Sequence, residues 1–512
     1  MSFPKFGHAA GAWIALAPLL VVVARRAPRR PGSASGWPRH PFALGLATGV
    51  VYFGGALYWL VDVMVTYGGL SRFVAFGVAG LLVAYLSLFP ALFAWAMRTL
   101  THALGPAALL LAPAVWVSTE MGRTYVWDGF PWALLGASQA SLLPIAQSAS
   151  VAGVYGVSLL VVCGSVAAAY AVVGRGRARV AVPAALMAVI ASTAVWGQAR
   201  LEASTLTRDG EPVTVGVVQG NFSQDVKWDP AMETAIVDRY LRLTAEAVAQ
   251  GATFVVWPES SLPFYFKASP AKAEPIRQAA RRLNVSLLVG GDELEAAPAD
   301  GDGAAVRLYN SAFLIRPDGA IADTYRKVHL VPFGEYVPLE SLLFFAAPLV
   351  QAVSGFSPGD RAVVFDVGGR RASTAICYEV IYPALMRRFV EEGSELLTTI
   401  TNDAWFGRSS AAYQHFEQAS LRAIEEGRYL VRAANTGVSG VVDPYGRVLD
   451  RTDLFQTAAF VREVRFLRSR TPYSRLGDVA GYLSLALTAG ALAAVWRQRP
   501  RGGPAVRSHR WA

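Results

Sequence analysis

Cysteine is almost missing from this chain: two stand in 512 residues, Cys163 and Cys377. Cys163 lies inside a long apolar run where a membrane span is the natural reading, so the two are not expected to pair, and a disulfide framework is excluded. There is no Cys-x-x-Cys or His-Glu-x-x-His spacing, and the six histidines are scattered. No metal and no cofactor is therefore expected. Charge is scarce as well, at 16% of residues against 53% hydrophobic, a departure from the soluble average in the membrane direction. The net charge of +10 raises the question of nucleic acid. Its arginines, however, fall in short blocks between apolar runs instead of on one basic face, so no nucleic-acid partner is expected.

The apolar residues concentrate before residue 199, in runs near the ~20 residues that cross a bilayer. Candidate spans cover 3–24, 42–61, 73–97, 104–119, 145–173 and 180–198, with a seventh at 479–496. Positive charge follows the first run, in Arg25, Arg26, Arg29 and Arg30, which suits a retained span rather than a cleaved signal. Every second loop is basic, through Arg39, Arg98, Arg175, Arg177 and Arg179 to Arg497, Arg499 and Arg501. The positive-inside rule makes those loops cytoplasmic and puts the large charged region, 200–475, on the outer face. The expected organisation is a helical bundle over 1–199, a soluble domain over 200–475, a last span over 476–497 and a cytoplasmic basic tail over 498–512.

The soluble region alternates strand and helix signals. Strands are expected at 213–219, 254–257, 285–290 and 396–401, and helices at 230–250, 270–283 and 411–426. Hairpins turn at Pro317-Asp318-Gly319, at Gly368-Gly369 and at Pro444-Tyr445-Gly446. This mixture specifies a layered α/β domain.

Three stretches each place one reactive group at the end of an expected strand, where α/β domains build sites. They are VVWPES with Glu259, YRKVHLVPFGEYVP with Lys327, and AICYE with Cys377. A thiol near its free pKa is mostly protonated, so a nucleophilic Cys377 needs a base and a cation. Glu259, sheltered by Trp257 and Pro258, suits the base, and Lys327 suits the stabiliser of a thiolate and then of an oxyanion. Each residue alone has an ordinary structural reading: Cys377 as a small buried hydrophobe, Glu259 as a cap, Lys327 as a solvated turn. In this order together they read as a triad.

VVWPES, RKVHLVPFGEYVP and AICYE resemble the Glu-Lys-Cys motifs of the nitrilase superfamily of carbon-nitrogen hydrolases. The stretches VQGNFSQDVKWD, TNDAWFG and, in the membrane part, DGFPWALLGASQ are similar to the apolipoprotein N-acyltransferase family within it. With the spans counted above, about seven, the resemblance implies a polytopic helical bundle carrying a nitrilase-like αββα sandwich. It implies Glu259 as general base, Lys327 as transition-state stabiliser and Cys377 as nucleophile, with supporting roles for Trp228, Glu335, Tyr378 and Glu379. It implies a bacterial cytoplasmic membrane location with the domain on the periplasmic side. The partners it implies are a phospholipid acyl donor and the α-amine of a diacylglyceryl-cysteine on a lipoprotein, joined through a Cys377 thioester. Members of the family typically open with one more span, whereas the count here leaves the N-terminus outside.

Two other classes remain beside that reading: a membrane-tethered amidase using the same triad on small amides, and a sensor whose domain only binds ligand. The resemblance gives His329 and His415 no catalytic role, and both are taken as hydrogen-bonding residues. Glu335, costly to bury without a partner, is expected to pair with Lys327 or assist proton transfer. Apolar residues 342–345 are candidates for a lid or a lipid contact.

Overall fold

The uncharged runs of the first 200 residues form helices, the arrangement in which a bilayer-embedded backbone satisfies its own polar groups. The computed structural model describes residues 3–5, 7–25, 40–127, 129–224, 226–297, 305–332, 334–336 and 355–498. Residues 342–345, most of the basic loop after Arg25 and all but the first residue of the tail lie outside the described residues.

Among the described residues, four helical stretches are long and apolar enough to cross a membrane: Arg72–Tyr125, Ala149–Val173, Ala178–Arg208 and Val479–Arg497. A fifth is added if Pro41–Ala56 and Leu60–Thr66, bent by 52°, form one broken span. Length and composition thus give four or five, against the seven expected. Two local features account for the difference. The first apolar run becomes the short helix Ala9–Ala24. The stretch Arg72–Tyr125 is two arms: helix Arg72–Leu104 ends at Gly105 with φ 71°, a 3₁₀ turn follows, and Ala112–Tyr125 folds back along the first arm. Trp116 on the returning arm meets Phe93 on the outgoing one with ring centroids 5.2 Å apart.

Helix Ala178–Ala203 leaves the bundle, and after one 3₁₀ turn the chain enters the soluble domain. There β1 (Glu211–Gln219), β2 (Phe254–Val256), β3 (Ser286–Ala297), β4 (Ala305–Ile315) and β5 (Ile321–Arg326) build one sheet. A second sheet contains β6 (Val364–Val367), β7 (Arg370–Ile376), β8 (Leu396–Thr401), β9 (Leu430–Ala434), β10 (Gly440–Val442) and β11 (Val448–Arg451). The final strand, β12 (Ala458–Phe466), returns to the first sheet and pairs antiparallel with β1 from Gln219↔Ala458 to Glu211↔Phe466. Both sheets are six-stranded, in the orders β12-β1-β2-β3-β4-β5 and β11-β10-β9-β8-β7-β6.

Helices Glu233–Ala249 and Pro270–Leu283 cover the first sheet, packing Tyr240 and Ile276 with Trp257, Val255 and Phe313. The other faces share a single apolar core that does not stop at the domain boundary: it joins Val217 and Leu288 to Leu397 and Ile424 and continues to Leu20 and Phe93 in the bundle. Helix Ala411–Glu426 sits at this seam and is buried along nearly its whole length. Hydrogen bonds stitch the seam. Trp132 Nε1 donates to Gln414 Oε1 at 2.7 Å, Gln147 Nε2 to the Tyr445 carbonyl at 2.9 Å, and Tyr67 Oη to the Ala404 carbonyl at 2.8 Å. Gly153, with φ 65°, interrupts helix Ala149–Val173, and the adjoining Val154 N–H is donated to Glu425 Oε1 at 2.7 Å. A Cβ at Gly153 would come within 2.4 Å of the Tyr473 ring, so glycine is required there twice over.

Candidate active site

The candidate site lies between the two sheets, with side chains delivered from both. Glu259 follows β2, Lys327 follows β5, and Cys377 follows β7. The structure brings these three together. Lys327 Nζ stands 3.6 Å from Glu259 Oε1 and 2.9 Å from Glu335 Oε1, and all three side chains are buried. Both Glu259 and Lys327 act electrostatically on the Cys377 thiol.

Cys377 has φ 54°, a conformation that costs a non-glycine residue about 1–3 kcal/mol. It starts a short 3₁₀ turn, Cys377–Ile381, and Glu379 anchors that turn. Glu379 Oε2 accepts from the Ile376 N–H at 2.7 Å, while Oε1 accepts from Tyr325 Oη and the N–H groups of Val328 and His329 at 2.8, 2.8 and 3.0 Å. One buried carboxylate thereby ties the turn bearing Cys377 to the segment immediately after Lys327. Burial pushes that carboxyl up to about 7 despite these donors.

Glu259 was expected to be sheltered by Trp257. That expectation is corrected: Trp257 points into the outer layer, stacked on Tyr240 with centroids 4.9 Å apart and donating to Thr244 Oγ1 at 2.8 Å. The carboxylate is instead held by donors. Asn310 Nδ2 reaches its Oε1 at 2.7 Å, and the Asn402 N–H, from the opposite sheet, reaches its Oε2 at 2.7 Å. The second Asn310 amide hydrogen goes to Glu335 Oε1 at 2.9 Å, and the Val331 N–H closes the ring at Glu335 Oε2 at 2.8 Å. Glu335 therefore does pair with Lys327.

Burial works against the Lys327 charge, but the Glu335 and Glu259 carboxylates outweigh it and hold the ammonium above its ordinary range. Burial, reinforced by Glu259 and only partly offset by Lys327, pushes the Cys377 thiol up. The resting site thus contains a thiol, a fixed cation and a hydrogen-bonded carboxylate. Such a set can move one proton from sulfur to carboxylate when an electrophile arrives, and can stabilise an oxyanion beside the ammonium.

A second buried cluster supports Cys377 from behind. His415 Nε2 lies 3.1 Å from the Cys377 carbonyl, which only accepts, so Nε2 carries the proton. Nδ1 lies 3.0 Å from Arg432 Nη2 and 3.1 Å from Asp403 Oδ1, and Arg432 Nη2 also donates to Asp403 Oδ2 at 2.8 Å. Burial and the neighbouring guanidinium lower the His415 pKa. Burial would raise Asp403, but Arg432 and His415 overcome it and hold the carboxyl below its usual range. His415 is a hydrogen-bonding helix residue, as expected. Asn310, Asn402, Asp403 and Arg432 were not singled out, because nothing local marks them. TNDAWFG had appeared only as a family likeness.

Tyr378 is buried among the rings of Phe130, His329 and Tyr382, at 6.3, 6.2 and 5.4 Å. Trp228 is 44% exposed beside Tyr265, with centroids 6.0 Å apart. Among the described residues it makes no hydrogen bond or ring contact with the triad. No group of three or more His, Cys, Asp or Glu side chains among the described residues is arranged to hold a metal ion.

Comparison with known proteins yields two family matches. Residues 214–466 match the carbon-nitrogen hydrolase family, and residues 1–167 match the apolipoprotein N-acyltransferase N-terminal domain. The chain is 40% identical to an apolipoprotein N-acyltransferase of Geobacter metallireducens over 98% of this chain and 93% of that one. It is 34% identical to one of Methylococcus capsulatus over 98% and 94%. Among solved structures, an amidase of the nitrilase superfamily from Nesterenkonia is 21% identical and covers 51% of this chain and 93% of that one, with a TM-score of 0.37.

Proposed function

Because the chain belongs to the apolipoprotein N-acyltransferase family, we propose that it moves an acyl chain from a membrane phospholipid, through Cys377, to the α-amine of a lipoprotein's diacylglyceryl-cysteine. The observation that carries the residue assignment is the buried Glu259–Lys327–Glu335 cluster facing a thiol held at positive φ at a strand end.

In the first half-reaction Glu259 takes the Cys377 proton as sulfur attacks the ester carbonyl, and Lys327 stabilises the oxyanion. Collapse breaks the ester bond, and the proton returns from Glu259 to the departing lysophospholipid oxygen. In the second half-reaction the neutral amine attacks the thioester, and Glu259 accepts the amine proton. The proton passes to sulfur as the C–S bond breaks, leaving an amide and the restored thiol. Glu335 fixes the Lys327 ammonium at the point where negative charge appears, and Glu379 holds the nucleophile's turn. Trp228 and Tyr378 take substrate-facing roles by family likeness. The reaction needs no cofactor.

The bundle, on this reading, makes about seven crossings once the short helix, the bent pair and the folded-back arm are each counted as one. The sandwich then lies on the periplasmic side, within reach of the outer leaflet. An impermeant thiol probe is expected to label Asp318→Cys, in an exposed hairpin turn, on intact spheroplasts. Ala178→Cys, exposed at the start of the helix that follows Arg175 and Arg177, is expected to label only after lysis. Labelling of Ala178→Cys in intact cells overturns the sidedness.

Phospholipid alone is expected to acylate Cys377, release lysophospholipid, and leave a bond cleaved by neutral hydroxylamine. A diacylglyceryl-cysteine peptide then discharges the chain onto its amine. Lysophospholipid release that strictly requires the peptide rules out the covalent intermediate. Rapid discharge to water instead of amine moves the assignment to an amidase.

A further inference from the structure

A cation next to the triad has no role in the chemistry above. Lys227 is 6% exposed, yet among the described residues it makes no hydrogen bond or ion pair. Its ammonium lies 5.4 Å from the Trp228 ring centroid, a weak compensation for lost water. The loop carrying it is pinned over the site: Gln224 Oε1 accepts from Asn402 Nδ2 at 2.7 Å, and the Asn402 N–H is the one that holds Glu259.

Asp292 faces the same space and is also 6% exposed. On β3 it pairs across the ladder with Asn310, the residue bridging Glu259 and Glu335. Its Oδ1 is buried with no hydrogen-bond partner among the described residues. Lys227 and Asp292 are each other's strongest charged neighbours but do not close into an ion pair. A pair kept for stability closes to contact, because separated buried charges carry their desolvation cost without the compensating attraction. An ammonium held apart from its counter-charge is instead arranged to receive an anion.

The triad makes the identity of that anion specific. Glu259, Glu335 and Asp292 set three carboxylates against Lys327, so a negatively charged donor entering the site is repelled unless a further cation meets it. The anion common to every glycerophospholipid, whatever its head group, is the phosphodiester. We propose that Lys227 is the receptor for the donor's phosphodiester group, with Asp292 as its counter-charge while the site is empty. This rests on the reading of Cys377 as acyl carrier. Lys227 selects phosphate-bearing acyl donors and orients their ester toward Cys377, and it takes no part in proton transfer.

The test compares two acyl donors in single turnover on the full-length protein in detergent micelles, reading acylation mapped to Cys377. One donor is a diacyl phospholipid, and the other is the p-nitrophenyl ester of the same fatty acid, which lacks phosphate. Lys227→Met is expected to slow acylation by phospholipid about 10- to 100-fold, the size of one charge-assisted contact, and to slow acylation by the ester far less. Lys227→Arg is expected to recover part of the loss. An equal fall with both donors, or no fall with phospholipid, overturns the inference. Inorganic phosphate that blocks the ester reaction in the wild type, but not in Lys227→Met, while phospholipid acylation ignores the substitution, also overturns it by reassigning the site to free phosphate. Failure of the wild type to be acylated by phospholipid at all is a different result, because it removes the acyl-carrier reading itself.

Discussion

Two buried polar clusters flank Cys377, one from each sheet, and they are built on opposite rules. Glu259, Lys327 and Glu335 carry unequal charge, two carboxylates to one ammonium, and face the space between the sheets. Asp403 and Arg432 balance, one carboxylate to one guanidinium, and His415 beside them closes on a backbone carbonyl. The first cluster keeps an imbalance that a reacting group can exploit. The second pairs its charges internally and reaches the strained Cys377 through His415. Burial alone therefore does not distinguish the two clusters; what separates them is whether the charges within each one balance.

That contrast breaks most sharply at the first cluster. Cys377→Ala is expected to form no acyl-enzyme, and Glu259→Gln to form it about 10²–10⁴-fold more slowly, with little change in thermal stability. Lys327→Arg keeps the charge but replaces a compact ammonium with a broad fork, and is expected to fold while losing most turnover. Near-normal lysophospholipid release by Lys327→Arg removes Lys327 from the site.

The second cluster is expected to answer in stability instead. Asp403→Ala leaves the buried Arg432 guanidinium unpaired and is expected to destabilise the domain by about 3–5 kcal/mol, read as a lowered midpoint of thermal inactivation. A lowered rate with an unchanged midpoint dissolves the distinction between the two clusters.

A finer probe is the pH dependence of Cys377 alkylation by iodoacetamide, followed on the Cys377 peptide. The Glu259 charge helps keep the thiol pKa high and Lys327 lowers it. The alkylation midpoint is therefore expected to move down in Glu259→Gln, even as acyl transfer slows, and up in Lys327→Met. Midpoints that stay together show that the cluster does not reach the sulfur. The smallest effect is expected at half-exposed Trp228. Trp228→Phe is expected to change stability by under about 0.5 kcal/mol, so any loss of turnover reports substrate contact alone.

The positions of Glu259, Lys327 and Cys377 were legible in the sequence because each follows an expected strand, and strand ends fix where a side chain emerges. Strand β3 was legible only to residue 290. Its extension through Asp292 to Ala297 is set by pairing with β4, and local β propensity does not reveal it. Strands β9 and β12 were missed for a similar reason, since they are defined by the neighbours that flank them. Asn310 and Asn402 look like ordinary polar residues until the sheets face each other. The turn after Gly105 falls between the two spans read at 73–97 and 104–119, whose two arms run together as one apolar stretch when length and composition alone are counted. His415, read as a plain hydrogen-bonding residue, gains its meaning only from the carbonyl it reaches.

The buried helix Ala411–Glu426 has a consequence for how the protein is made. Its seat includes Trp132 and Val154, both of which leave the ribosome more than 250 residues before it does. Synthesis proceeds from the N-terminus and domains assemble as they emerge. The bundle is thus in place as a template before the second sheet has its outer cover, and the sandwich completes its core against the membrane part instead of folding first and docking later. Maturation of the enzyme is in this sense an extension of its insertion, with the bilayer-embedded helices acting as the scaffold on which the catalytic half is finished.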